Sequence, residues 1–138
     1  MDNLSKQILA EKENIEIALN SLDKAMERKE RSVVELAAIG TFLHNIYNGI
    51  ENILKRILKS KDIATSKSDT PHKDLLNLSV SLGIISEDLS EKLYEYLAFR
   101  HLFIHGYGFM LEESRLINLV NNILKIWSQF LLEIGKYV

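Results

Sequence analysis

The run Arg100-His101-Leu102-Phe103-Ile104-His105-Gly106-Tyr107-Gly108 gathers a permanent cation, two imidazoles and a phenol within nine positions. Arginine presents a planar fork that grips a pair of phosphate oxygens. Histidine exchanges a proton near neutral pH. Together they suit phosphoryl chemistry, one group moving protons while the other offsets charge on the phosphoryl oxygens. RNA is cut without a metal when a base takes the 2′-hydroxyl proton, the freed oxygen attacks phosphorus and an acid protonates the leaving 5′-oxygen. In that scheme His105 transfers protons and Arg100 is the oxyanion partner. One protomer supplies one such pair, while the scheme needs both an acid and a base. A two-fold dimer would bring two arginines and two histidines into one cleft and meet that need.

His101 lies one helical turn from His105 and shares its face. It is either a second functional histidine that contacts RNA or a polar residue near a helix C-terminus, where positive charge is favoured. The pair also has the spacing of two metal ligands. A zinc site needs more, however, and the sequence offers neither cysteine nor an HExxH arrangement. The expectation is no metal and no cofactor. His72 and Lys73 follow Thr70-Pro71, an N-cap followed by proline at the first helical position. On a first turn, free backbone N–H groups favour an anion, so both residues are secondary candidates for RNA phosphate contact.

These groups need firm supports. Positions 100 and 105 are about 140° apart around a regular helix, so they converge only if the helix ends or distorts between them. Gly106 and Gly108 supply such an ending, and Leu97, Phe99, Leu102 and Phe103 would tie the helix end to a core. Apolar residues recur at helical spacing throughout. A first helix runs from residue 3 to about 30, with Ile8, Ile15 and Leu22 seven apart, read as a core-facing bundle helix rather than a coiled coil. A second runs from a capping box at Ser32 and Glu35 to about Ser60. Its apolar face extends from Val33 through Ala37 and Ile39 to Ile57. Gly40 and Gly49 within it are expected to admit a close helix, such as a dimer partner's. His44 reads as a hydrogen-bonded helix residue rather than a catalytic one. A short helix spans 71–82 and ends at Gly83, a fourth starts at Ser86 or Asp88, and a fifth starts at Glu112 or Glu113 with Trp127 in its core stripe. The fold class is all-α, an antiparallel bundle of four long helices plus one short helix, in a single domain over 1–138.

With 138 residues and no cysteine, such a chain can bury a core without disulfides, and thiol nucleophiles are excluded. The formal charge of −2 gives no general basic surface, so RNA must be met at a local site or with a partner's help. No apolar run approaches the roughly 20 residues of a membrane span, and no signal peptide is visible at the N-terminus. A cytoplasmic protein without membrane contact is expected.

The pattern Rx4HxY, with the stretch Phe42-Leu43-His44-Asn45-Ile46-Tyr47-Asn48-Gly49-Ile50-Glu51, resembles the HepT-like proteins of the HEPN superfamily. The resemblance implies a HEPN-like helical bundle and a homodimer with the motif at its cleft. It also implies a metal-independent endoribonuclease toxin paired with a nucleotidyltransferase antitoxin of the MNT type. Read alone, Tyr107 is a turn aromatic covering a helix end. The resemblance makes it the tyrosine that receives AMP, which would place bulk and negative charge beside Arg100 and His105. The alternative is a non-catalytic HEPN subunit that binds nucleotide or partners a nucleotidyltransferase.

Overall fold

Helical periodicity in every apolar segment is matched by the computed structural model, which describes residues 3–65, 68–104 and 113–138. Among them are five α-helices and no strand: α1 (Asn3–Met26), α2 (Val33–Ser60), α3 (Pro71–Ser81), α4 (Glu87–Ile104) and α5 (Glu113–Glu133), then a 3-10 turn at Gly135–Tyr137. Four helices are long and α3 is short, as expected.

Ile8, Ile15 and Leu22 of α1 are buried and pack against α2 of the same chain, so the seven-residue spacing marks a bundle face. The helix ends at Met26, earlier than expected. The run from Glu27 to Arg31 has no apolar side to bury, and Arg31 Nη2 donates to the Met26 carbonyl at 3.2 Å. Ser32 then opens α2 with a capping box, its hydroxyl accepting from the Glu35 N–H at 3.3 Å while the Glu35 carboxylate accepts from the Ser32 N–H at 3.3 Å. Val33 and Ala37 are exposed rather than part of the apolar face, which begins in earnest at Ile39.

The glycines of α2 admit close helices, as expected, and those helices belong to the same chain. A Cβ on Gly49 would lie 2.4 Å from Ile15 Cγ1 of α1, and one on Gly40 would lie 2.9 Å from Phe103 of α4. Both serve close packing within one chain, and no second copy is needed to explain them.

Pro71 takes the first position of α3. Thr70 does not cap the backbone; its hydroxyl bonds to the Asp74 carboxylate at 3.2 Å. The helix stops at Ser81 because Gly83 adopts φ 72°, a left-handed conformation that glycine enters freely. The Gly83 and Ile84 N–H groups fold back to Val80 at 3.0 Å and Ser79 at 2.9 Å. Ser86, not Asp88, caps α4, accepting from the Leu89 N–H at 3.1 Å. Asp88 pairs with Lys92 instead, at 3.0 Å. Several hydrogen bonds join α4 and its cap to α5: Ser86 Oγ donates to Glu133 at 2.9 Å, Lys92 donates to Gln129 at 3.1 Å, Gln129 donates to Asp88 at 3.1 Å, and Tyr96 Oη donates to the Leu119 carbonyl at 2.6 Å. The core draws on all five helices and includes Tyr47, Tyr96 and Phe130. Trp127 is buried and stacks on Phe130. Burying each large apolar side chain contributes about 1.5–3 kcal/mol, which gives α4 a rigid bed for its polar end.

Candidate functional site

His44, Asn48 and Glu51 lie at i, i+4 and i+7 on α2, so their side chains form one stripe. The stripe meets α4 near Arg100 and α3 near its first turn. Arg100 Nε donates to Asn48 Oδ1 at 3.0 Å. The same amide turns its nitrogen to His44, with Asn48 Nδ2 and His44 Nε2 3.0 Å apart. An amide nitrogen can only donate, so His44 Nε2 accepts and the proton sits on Nδ1. That nitrogen is buried without a partner among the described residues. Burial lowers the His44 pKa from its ordinary 6.5, and the Arg100 charge lowers it further, against a partial offset from Glu51. The ring packs on Phe103, centroids 5.9 Å apart. His44 is thus a neutral helix histidine that holds Asn48, as the sequence indicated.

Glu51 is only 2 % exposed. A carboxylate taken out of water is costly unless it is paired. Its partner is His72, whose Nδ1 lies 2.8 Å from Oε1 and 3.0 Å from Oε2. Tyr47 is buried alongside. Burial first, and then the Glu51 charge, push its hydroxyl pKa up from the ordinary 10.0. His72 sits on the first turn of α3, where the chain's one proline sets the helix start.

His72 also lines a cleft of 480 Å³ between α3 and α4, together with Thr70, Lys73, Tyr94, Leu97 and His101. Lys73 Nζ lies 5.9 Å from the Tyr94 ring centroid. The fold therefore brings three sequence candidates, His72, Lys73 and His101, to one opening. Arg100 is the neighbour of His101 on α4 and is anchored to α2 three residues from Glu51. His105 and Tyr107 lie outside the described residues. α4 stays helical through Ile104.

Two residues in the site were not singled out from the sequence. Asn48 and Glu51 lie within the resembling stretch, but no role was attached to them. A signal existed for Glu51: it is a carboxylate set among Ile50, Ile53 and Leu54, where an all-apolar face was expected.

Residues 38–138 match the family model described as HepT-like protein. Comparison with curated proteins and with solved structures gave no match. No described helix is long and apolar enough to cross a membrane. The family match covers most of the chain, including α3, α4 and every residue of the polar stripe, so this chain belongs to the HepT-like family of the HEPN superfamily.

Proposed function

We propose that this protein is the ribonuclease toxin of a pair with an MNT-type nucleotidyltransferase, cutting RNA as a homodimer without metal. The observation that carries the reading is Arg100. It is half-buried at the end of α4 and fixed through Nε to Asn48, and its two terminal nitrogens make no hydrogen bond to a described residue. A guanidinium held by one edge keeps the other for a phosphate. In this reading His105 transfers protons, and His72, Lys73 and His101 meet the RNA at the cleft. AMP placed on Tyr107 would occupy the space of the scissile phosphate and pair with Arg100. The protein is expected to work in the cytoplasm as a single domain.

Purified protein is incubated with an RNA oligonucleotide and with the same oligonucleotide carrying a 2′-deoxy sugar at the cut position. The first should yield a 2′,3′-cyclic phosphate and a 5′-hydroxyl even with a chelator present, and the second should stay whole. His105→Ala should lose about 10²–10⁴-fold in rate. Cleavage of the deoxy substrate, or a demand for a divalent ion, would refute the mechanism. Tyr107→Phe should still cut RNA but escape neutralisation by the nucleotidyltransferase. The near-neutral charge of −2 favours a second reading, a non-catalytic partner subunit, which takes over if wild-type dimer cuts no RNA.

A further inference from the structure

Glu51 is the one buried charged side chain among the described residues, and both its oxygens address a single atom, His72 Nδ1. A carboxylate only accepts, so Nδ1 carries the hydrogen. In the neutral ring the lone pair is then on Nε2. No described residue hydrogen-bonds to Nε2, and the His72 side chain, 33 % exposed, forms part of the wall of the 480 Å³ cleft. A carboxylate in this position fixes the tautomer and aim of an imidazole and stabilises the imidazolium when it forms. His72 thus combines a carboxylate on one nitrogen, a second nitrogen with no hydrogen bond to a described residue, and a place in the cleft wall. The location also fits. Asn48 and Glu51 hold Arg100 and His72 at points about 4.5 Å apart along α2, and His101, next to Arg100, lines the same opening.

We propose that His72 is a catalytic residue of this centre, with Glu51 its positioning residue: Nε2 of His72 takes the proton of the RNA 2′-hydroxyl. The inference rests on the ribonuclease reading and adds to it a base supplied within one protomer. As the 2′ O–H bond breaks, its proton passes to Nε2 and the oxygen forms a bond to phosphorus. The bond from phosphorus to the 5′-oxygen breaks, and that oxygen leaves with the electron pair and takes a proton from an acid, a second imidazolium or water. The phosphodiester's single negative charge ends on the 2′,3′-cyclic phosphate, and the His72 imidazolium returns its proton to solvent.

The test uses full-length wild type, His72→Ala, His72→Asn, Glu51→Gln and Lys73→Ala on one RNA oligonucleotide, with kcat and KM measured separately. His72→Ala should lose at least about 10²-fold in kcat with little change in KM, and added imidazole should restore part of it. His72→Asn, whose amide N–H can replace Nδ1–H toward Glu51, should keep the fold and lose the same activity, so a folding defect in the alanine variant does not decide the matter. Glu51→Gln keeps an acceptor but loses the charge, and should cost about 10–100-fold in kcat. Lys73→Ala should raise KM. Nitrogen NMR of the wild type should show the His72 proton on Nδ1. Unchanged kcat in both His72 variants, loss that imidazole never restores, or a proton on Nε2 overturns the proposal. If wild type cuts RNA and the His72 variants cut it equally well, this proposal falls while the ribonuclease reading stands. If wild type cuts nothing, both fall.

Discussion

Among the described residues the Arg100 guanidinium is hydrogen-bonded through one nitrogen, to Asn48, so Asn48 sets where its fork points. Asn48→Ala removes the acceptor, at a typical cost of about 0.5–1.5 kcal/mol in stability. It should lower kcat well beyond what that change suggests, because a misaimed guanidinium no longer meets both oxygens. Arg100→Lys should fall short of wild-type activity despite keeping the charge, since an ammonium lacks the planar two-pronged donor. Rate measurements beside a urea titration separate aim from fold. His44 makes a different prediction. Its pKa is lowered in the folded protein, so the unfolded chain binds the extra proton more readily, and stability falls as pH drops below 6.5 toward the folded value. Melting temperatures of wild type and His44→Gln between pH 7 and pH 5 should diverge, with the variant showing the shallower decline. Equal slopes would contradict a neutral, half-buried His44.

At the scale of elements, α1 and α2 meet where Ile15 lies over Gly49. A methyl group at 49 would collide with Ile15, and overpacking of this kind typically costs about 1–3 kcal/mol. Gly49→Ala should lower the urea midpoint. Ile15→Ala alone should cost about 2–5 kcal/mol, and the double variant should lose clearly less than the sum, because the smaller residue makes room for the methyl. Strict additivity would mean that the seam is not as tight as described. The same seam shows what was legible in the sequence. Periodicity marked all five helices, and Ser32, Pro71 and Gly83 marked their ends, because these are local effects of backbone and cap. Which helix fills the space over a glycine depends on contacts far apart in the chain, so Gly40 and Gly49 suggested a dimer partner where Phe103 and Ile15 of the same chain suffice. Glu51 was overlooked for a related reason. Its partner His72 lies on another helix, and spacing along α2 says nothing about α3. Thr70 failed as a cap because Asp74 took its hydroxyl. Arg100 and the candidates at positions 72, 73 and 101 are recognisable by residue type, and the fold brings the last three to one cleft while tying Arg100 to Asn48.

At the scale of the whole molecule, the shared-cleft reading asks for two copies of the chain. Light scattering at micromolar concentration should give twice the chain's mass. Mixing Arg100→Ala protomers with His105→Ala protomers should recover activity above either variant alone, because one mixed cleft then holds an intact arginine and an intact histidine. Failure to recover any, with subunit exchange demonstrated, would place each working set within one protomer. The clasp between Tyr96 and the Leu119 carbonyl bears on a property remote from catalysis. Burial raises the phenol pKa of Tyr96 and of Tyr47 above the ordinary 10.0. Unfolding lets both ionise at the ordinary value, so strong alkali draws the chain open. Near-ultraviolet absorbance during an alkaline titration should therefore rise in two stages: gradual ionisation of accessible phenolic groups, then a sharp further rise as α4 comes away from α5 and the helical signal collapses at the same pH.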